Sequence, residues 1–286
     1  VQADHMNKRK AWNINTLFVL FIFGFAIASL LKPDRGFSEQ ERRVLSQMPE
    51  FDTEDILSGQ FESDYEEYLS DQFILRDSWI ALRTQAQRLM LHTDVHGVYF
   101  AADDYLIEKH DGIFETDMAS SNLQTLAQFA NEAAQQYPGH VTVMMIPNAV
   151  DTLSDKLPLF AAPYDEEEYI GQLKAALADG VFFDAGAVLK KHTDEQLYYR
   201  TDHHWTTDAA FWVFAAWMKD QGMDIVGKDQ YNITEVTDSF EGTIVSKVGV
   251  KVTPDPIRIY EKKNGASYAL VYNRTNDVRH TVYQKD

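Results

Sequence analysis

One stretch of six residues, Thr201 to Thr206 with the sequence T-D-H-H-W-T, brings an acid, two imidazoles and a large aromatic ring together. An aspartate two residues before a histidine on a tight loop can turn back and accept the imidazole Nδ1 proton. That bond fixes the tautomer and leaves Nε2 free to take a proton from a hydroxyl nucleophile. Asp202 and His204 are therefore the candidate catalytic pair. We expect His203 to point away from this pair, either toward substrate or into the packed interior. We expect Trp205 to line the site.

The pattern after this stretch predicts a helix. Thr206 or Thr207 can cap it, and Asp208 lies in its first turn, where a negative charge suits the helix dipole. Ala209 to Met218 is apolar and aromatic, and Gly222 can close the end. The Asp–His pair is therefore expected on a loop at a helix N-terminus, exposed but held by a rigid scaffold.

Two other interpretations of the same residues stay open. A buried histidine can be satisfied by a neighbouring aspartate, with Trp205 in the core. Asp202, His203 and His204 could instead bind a metal, since aspartate and histidine are both ligands. No second cluster of obvious ligand spacing in the sequence supports the metal interpretation.

Composition excludes several classes of function. The chain has 286 residues, enough for one α/β domain with an appendage, and a net charge of −18. It has no cysteine, which excludes disulfides, cysteine-ligated zinc and thiol catalysis. An acidic body repels nucleic acid, so we exclude nucleic-acid binding. The sequence predicts no cofactor.

The N-terminus predicts membrane targeting. Residues 1–13 are a leader and a basic segment, and residues 14–31 form an apolar run. The run suits an uncleaved membrane anchor, which needs ~20 apolar residues with ~17 as the lower limit. A secreted form cleaved near Ala26–Ala28 is the alternative. In either case residues 32–286 are expected outside the cytoplasm.

Elements in the middle of the chain alternate between helix and buried strand. Apolar runs of this length without polar alternation are typical of strands covered on both faces. The predicted order is helix 120–136, strand 141–146, helix 165–179 and strand 181–183. This alternation predicts a parallel sheet with crossover helices, in an α/β fold.

Polar residues follow both predicted strands. Asn148 comes just after the first and Asp184 just after the second. In open α/β sheets the site lies outside the carboxyl ends of the strands. Asn148, Asp184 and the loop of Asp202 and His204 are therefore expected along one edge, with Asn148 as an oxyanion donor or a simple turn residue.

The remaining segments predict helices first and strands last. Residues 52–91 show an aromatic stripe at three- and four-residue spacings, which is typical of core packing. Residues 98–107 alternate like strands around an Asp103-Asp104 turn. Residues 231–246 and 257–272 resemble short strands with polar turns.

The motif and its surroundings resemble the bacterial DHHW proteins, which are similar to the alginate O-acetyltransferase relatives of the SGNH-hydrolase superfamily. Further matches occur in the family's order from Lys8 onward: Ser38-Glu39, Glu41-Arg42-Arg43 and Leu45; Gly59, Phe61, Tyr68, Asp71, Phe73 and Arg76; Gly97-Val98-Tyr99 through Leu106; Lys156-Leu157-Pro158; Phe240, Gly242-Thr243 and Tyr260. Arg42 stands where the family usually has asparagine.

This resemblance implies a three-layer α/β/α domain outside the cytoplasm, behind a signal or anchor. Asp202 and His204 become the acid and base of a Ser-His-Asp triad that transfers or removes acetyl groups on cell-surface polysaccharide. A membrane-bound acyl-transfer partner is implied beside it. Tyr199 and Trp205 could stack on sugars, and His203 and Arg200 are the remaining candidate substrate contacts.

The nucleophile departs from the family pattern. In these relatives the serine follows the Asp-x-His element, in an Asp-Ser block at a strand-to-helix turn. Asp238-Ser239-Phe240 is the nearest candidate, but no apolar strand leads into it and Glu241-Gly242-Thr243 is not expected to open a helix. Ser78, after Asp77, lies within a predicted helix. We therefore expect the chain to be truncated, with the serine beyond residue 286.

Three functions follow from these observations. The first is a membrane-anchored acetyltransferase or acetylesterase acting on surface polysaccharide. The second is a non-catalytic carbohydrate-binding or scaffold protein of the cell envelope. The third is a metal-dependent hydrolase using Asp202, His203 and His204. The sequence leaves open the acceptor glycan, the acetyl donor and the direction of transfer.

Overall fold

The computed structural model describes residues 2–38, 43–224, 227–263, 269–274 and 277–284. Helix α1 (Gln2–Leu31) opens the chain. Within it, Asn13–Leu31 is apolar and long enough to cross a membrane, the one such helix among the described residues. A signal sequence has the same length and composition. Both predicted interpretations of the N-terminus therefore remain, and the family-like segment at residues 39–42 lies outside the described part.

A short hairpin and three helices follow. They are β1 (Phe37–Ser38), β2 (Arg43–Val44), α2 (Thr53–Ser58), α3 (Gln60–Gln72) and α4 (Arg76–Leu89). The helical prediction for residues 52–91 is confirmed in type. The region divides because Gly59 and Leu75 have φ values of 80° and 57°, which a right-handed helix cannot contain.

A three-stranded antiparallel sheet comes next. It consists of β3 (Asp94–Val95), β4 (Val98–Phe100) and β5 (Leu106–Glu108). A short 3₁₀ turn at Ala102–Asp104 joins the last two strands, as the Asp103-Asp104 turn predicted. The backbone of β5 reaches the motif directly, because Leu106 N–H donates to the Arg200 carbonyl at 2.9 Å.

Five helices make up the middle of the chain. They are α5 (Asp117–Gln136), α6 (Ala149–Thr152), α7 (Glu166–Ala176), α8 (Ala185–Leu189) and α9 (Thr207–Asp220). Each predicted long helix is present, and side chains cap the starts. Thr116 accepts from Ala119 N–H, and Asp165 accepts from Glu168 N–H.

The predicted parallel sheet is not found within the described residues. Residues 141–146 and 181–183 meet only at one parallel bridge, Val143 with Phe182. Two hydrogen bonds hold it, from Val143 N–H to the Val181 carbonyl and from Phe183 N–H to the Val143 carbonyl. The second segment has three residues between the Gly180 turn and the Asp184 cap of α8, which is too short for a ladder. The named strands all pair antiparallel.

The last part of the chain combines strands with an unexpected helix. The elements are β6 (Tyr231–Phe240), α10 (Thr243–Val248), β7 (Asp255–Lys262), β8 (Ala269–Arg274) and β9 (Asp277–Gln284). The expectation that Glu241-Gly242-Thr243 would not open a helix is wrong, because α10 begins at Thr243. Residues 264–268 of the second predicted strand lie outside the described part.

Three clusters of buried side chains form the core. The first joins Tyr99, Leu153 and Leu197 to the inner face of α9. The second joins α5 to α7. The third packs Val98 and Leu106 against the buried β-branched residues of α10. The motif at Thr201 to Thr206 follows Tyr198 of the first cluster and contacts the start of α10 in the third, so both clusters fix its position.

Candidate active site

The motif forms a closed loop on the start of α9. Tyr198 and Trp205 pair in an isolated antiparallel bridge, and Thr206 N–H donates to the Leu197 carbonyl at 2.8 Å. The Thr206 hydroxyl then accepts from Ala209 N–H at 3.2 Å and caps the helix. The predicted cap is confirmed, and the loop is held at both ends by backbone hydrogen bonds.

Asp202 and His204 contact each other as the spacing predicted. His204 Nδ1 lies 2.5 Å from Asp202 Oδ1, and the same oxygen accepts His204 N–H at 3.1 Å. An ionised carboxylate can only accept, so the proton lies on Nδ1 and Nε2 is the basic nitrogen. Asp202 is buried, whereas the His204 side chain is 66% exposed. The imidazole is thus fixed on its inner side and open to a reactant on its outer side.

The second carboxylate oxygen of Asp202 binds the start of α10. Thr243 donates to Oδ2 from its N–H at 3.1 Å and from its hydroxyl at 3.3 Å. Burial raises the pKa of this carboxyl, but the hydrogen bonds from His204 and Thr243 outweigh burial and hold the pKa below its ordinary value. Asp202 therefore stays ionised at neutral pH, as an acceptor of the Nδ1 proton must.

A second aspartate, Asp255 at the start of β7, holds the loop from behind. Its carboxylate is fully buried and accepts N–H bonds from Arg200 and Thr201, each at 2.9 Å. It also accepts the Thr201 hydroxyl and the Gln196 amide, both at 2.6 Å. The Thr201 hydroxyl in turn accepts Gly242 N–H at 3.0 Å. The residue just before Asp202 is therefore fixed by β7 and by the segment leading into α10.

His203 does not point away from the pair, contrary to expectation. Its ring lies 4.0 Å from the His204 ring, and its Nδ1 lies 3.9 Å from Asp202 Oδ1. The reason is the tight turn, which places consecutive side chains on one exposed side of the loop. Trp205 is half-buried and packs against the first core cluster, so it forms part of the wall of the loop.

Tyr199 and Arg200 mainly support the loop. The Tyr199 ring makes an edge contact with Phe240 at 5.4 Å. The Arg200 guanidinium lies over the Tyr105 ring, 5.5 Å from its centroid, and its Nε donates to the Asp103 carbonyl at 3.2 Å. Arg200 is thus engaged within the domain, and its predicted contact with substrate stays a prediction.

Asp202, His203 and His204 also form the one group of three possible metal ligands among the described residues. One ligand atom from each lies within 4.8 Å of the other two. A carboxylate and two imidazoles suit Zn²⁺ or another borderline metal. A metal there would have to replace the proton between Asp202 and His204, so metal binding and base function exclude each other at this pair.

Ser239 lies near the motif in sequence but not at the imidazole. It is an exposed residue of β6, and its hydroxyl shares a hydrogen bond with the Thr237 hydroxyl at 3.1 Å. The described hydrogen bonds of Ser239 do not involve His204. The position of the nucleophile stays a prediction.

Asn148 and Asp184 make their described contacts away from the Asp–His pair. Asn148 gives its side-chain amide to the buried Glu166 at 2.8 Å, and Asp184 caps α8 through Ala187 N–H at 2.9 Å. Asp184 lines a cavity of about 220 Å³ with Pro147 and the helices α7 and α8. The two residues follow the two short parallel segments as predicted. No described contact connects them to His204, and their roles in substrate binding remain predictions.

A larger cavity of about 380 Å³ adjoins the Asp–His pair through Thr243. It lies between α4 and α10, and its lining is mostly charged or polar. The lining residues are Arg43, Arg76, Ile80, His96, Glu108, Thr243, Ser246 and Lys247. Because Thr243 binds Asp202, this cavity is a candidate reactant-binding space.

Sequence reasoning missed Asp255 and the functions of Gly242 and Thr243. Asp255 lies 53 positions after Asp202, within the Pro254-Asp255-Pro256 run, which looked like turn punctuation. Local spacing carries no information about such a contact. The family-like Phe240-x-Gly242-Thr243 segment was the one available signal that this region matters.

Comparison with known families identifies the family of the chain. A family model described as the SGNH hydrolase-like domain of the acetyltransferase AlgX matches residues 98–270, which is more than half of the chain. The chain belongs to this family, and the resemblance noted from the motif is confirmed. No match was found among curated proteins.

Several solved structures resemble the chain. A DHHW family protein from Eubacterium siraeum is 20% identical over 66% of this chain and 61% of its own, with a TM-score of 0.45. Bacillus cereus PatB1 with a sulfonyl adduct is 20% identical over 66% and 63%, with a TM-score of 0.49. The O-acetyltransferase domain of Pseudomonas putida AlgJ is 17% identical over 57% and 63%, with a TM-score of 0.40. The chain spans less than two thirds of each of these proteins.

Replacing Asp255 with alanine should release the loop. The change leaves the buried N–H groups of Arg200 and Thr201 without acceptors, and we expect a loss of about 3–5 kcal/mol in unfolding free energy. Urea unfolding followed by circular dichroism measures it. Asp238→Ala, at an exposed position of β6, is the matched control and should stay within about 0.5 kcal/mol. Equal stability of the two variants would contradict this role for Asp255.

Replacing Gly242 with alanine should displace Asp202. A Cβ at this position would meet Asp202 Cβ, would lie 2.6 Å from Asp202 Oδ2 and would lie 2.7 Å from the Thr201 carbonyl oxygen. A shift of about 1 Å in a catalytic group can cost about 10²-fold in rate. We therefore expect ester turnover in the Gly242→Ala protein to fall by about that factor.

Gly171→Ala is the control for this change. A Cβ at Gly171 meets nothing within 4 Å inside α7, so the variant should keep its turnover and gain about 0.5–1 kcal/mol of stability. Wild-type turnover in Gly242→Ala would show that contact between Gly242 and Asp202 does not position the pair.

Proposed function

We propose that this protein is a membrane-anchored O-acetyltransferase or acetylesterase that acts outside the cytoplasm on cell-surface polysaccharide. The observation that carries the proposal is the 2.5 Å contact between Asp202 Oδ1 and His204 Nδ1 in a chain of the AlgX family. An imidazole oriented in this way is suited to take the proton of an attacking hydroxyl and to return it to the leaving oxygen.

In the proposed reaction a serine hydroxyl attacks the carbonyl carbon of an acetyl ester. Nε2 of His204 takes the serine proton as the C–O bond forms, and Asp202 stabilises the resulting imidazolium. The imidazolium then gives its proton to the departing alkoxide, which leaves an acetyl-enzyme. A polysaccharide hydroxyl or water, deprotonated by the same Nε2, accepts the acetyl group. The family description as an acetyltransferase supports the acetyl ester.

The anchor, the acceptor and the partner belong to the same proposal. The apolar segment Asn13–Leu31 supports an anchor at the cell membrane with the body outside the cytoplasm. A membrane-bound acyl-transfer partner would then supply the acetyl group. The exposed rings of His203 and His204 leave room beside them for a large glycan.

A second candidate is a non-catalytic carbohydrate-binding or scaffold protein of the cell envelope. The observation that favours it is that the hydroxyl of Ser239, the nearest candidate nucleophile in sequence, shares a hydrogen bond with Thr237 on its own strand. A metal-dependent hydrolase built on the same Asp-His-His group is the third candidate. One set of assays separates all three.

Changing His204 to alanine tests the base directly. Loss of general base catalysis typically costs about 10²–10⁴-fold, and we expect that loss of acetyl-ester turnover. The exposed ring carries no core packing, and Asp202 keeps its bonds from Thr243 and from His204 N–H, so the protein should still fold, with a stability lowered by the loss of one hydrogen bond. His140→Ala, at an exposed position after α5, should keep full turnover. Turnover that EDTA abolishes would support the metal-dependent function instead.

Labelling with a fluorophosphonate, followed by peptide mapping, tests the nucleophile. We expect labelling of a serine other than Ser239, and we would compare this chain with the full open reading frame. Labelling that requires His204 supports the triad. A folded protein in which neither form labels would contradict the serine mechanism and favour the binding protein.

A further inference from the structure

Helix α4 carries an apolar face that the described part of the domain leaves open. Trp79, Leu82 and Leu89 recur at spacings that place them on one side of the helix. Leu82 is 58% exposed and Leu89 is 84% exposed. Met90 and Leu91, directly after the helix, are also exposed. Large apolar side chains grouped in this way usually mark a contact with a partner or a membrane.

The opposite side of α4 is fixed to the domain. Thr84 is fully buried, and Ile80 and Ala81 lie against Gly249 at the end of α10. The Arg88 guanidinium lies over the Phe100 ring of β4, 4.6 Å from its centroid. These contacts hold the helix in an orientation that leaves its apolar face open.

The candidate membrane span contacts this helix. The Trp79 ring lies 5.6 Å from the ring of Phe25 and 6.3 Å from that of Phe21, both on α1. Phe25 and Phe21 come six and ten residues before Leu31, so at ~1.5 Å per residue they lie about 9 and 15 Å inside the span. Tryptophan favours the membrane interface, where amphipathic helices lie about 5–10 Å deep. The two contacts therefore place the start of α4 beside the outer half of the span.

The charge of α4 favours a lipid surface, rather than a second copy of this acidic chain, as the partner of the apolar face. The chain carries a net charge of −18, which repels an anionic membrane. Helix α4 is locally basic, because it carries three arginines and a single acid, Asp77. Arg83 is exposed beside the apolar face and makes no ion pair with another described residue. Basic groups beside an apolar stripe attract anionic lipid headgroups.

We propose that α4 lies in the outer surface of the lipid bilayer, with Leu82, Leu89, Met90 and Leu91 inserted among the headgroups. This rests on the proposed function in one respect, because α1 must be the membrane anchor. Arg76 and Ile80 of the same helix line the cavity that adjoins Thr243 and Asp202. The placement therefore brings the candidate active site next to the membrane, within reach of an acyl donor held there.

The absence of cysteine from the sequence allows a direct test. Single cysteines replace Leu82 and Leu89 on α4, Leu20 in the span and Gln124 on the exposed side of α5. Each full chain carries an NBD label and is reconstituted in vesicles of phosphatidylethanolamine and phosphatidylglycerol. Spin-labelled lipids then quench the label, with the spin label either shallow or deep in the acyl chain.

We expect the labels at positions 82 and 89 to shift their emission to the blue and to be quenched mainly by the shallow spin label. Position 20 should be quenched mainly by the deep one, and position 124 by neither. If the labels at positions 82 and 89 behave like the label at 124 while the label at 20 is quenched, the proposal is overturned and the anchor still stands. A blue shift without lipid quenching would assign the face to a protein partner and equally overturn it. An unquenched position 20 would remove the anchor and the proposal together.

Discussion

The structure around the motif depends on the buried carboxylate of Asp255. Two backbone N–H groups, one hydroxyl and one side-chain amide converge on it from residues 196 to 201. Burying a charge is costly unless such donors surround it, and these donors reach it only when the loop has its present shape. Because Thr201 also accepts Gly242 N–H, the same carboxylate fixes the segment that enters α10. The position of Asp202 follows from both.

The candidate catalytic pair is an extension of this network toward solvent. Asp202 is buried and bound on one oxygen by Thr243, so it can hold His204 with the other while the imidazole remains exposed. Asp208, in the first turn of α9, is another carboxylate that joins two elements. It accepts the Tyr260 hydroxyl at 2.5 Å and the Arg258 guanidinium at 3.2 Å, which fixes the start of α9 to β7. These carboxylates thus attach loop, helix and strand to one another, while the imidazole of His204 remains exposed.

Local signals predicted the pair, its loop and the helix after it, because each rests on residues within a few positions of one another. Thr206 is the observed cap, and Asp202 accepts the Nδ1 proton of His204, as the sequence spacing required.

Long-range features were missed, since Asp255 and Thr243 are remote in sequence from Asp202. The β-branched run at Ile244 and Val245 favours a strand on propensity. Burial against Val98 and Leu106 makes it a helix instead. The prediction of a parallel sheet was wrong for the described residues for a related reason. An apolar run indicates that a segment is buried, but it does not indicate how many of its residues can pair with a neighbouring strand.

A general base at His204 requires that Asp202 holds the Nδ1 proton and leaves Nε2 unprotonated. Long-range ¹H–¹⁵N correlation spectra of the histidine side chains, assigned with the His204→Ala variant, measure this tautomer directly. For neutral His204 we predict a protonated Nδ1 and an unprotonated Nε2, with this preference lost in Asp202→Ala. A His204 protonated on Nε2, or a tautomer unchanged by loss of Asp202, would contradict the assignment of His204 as the general base.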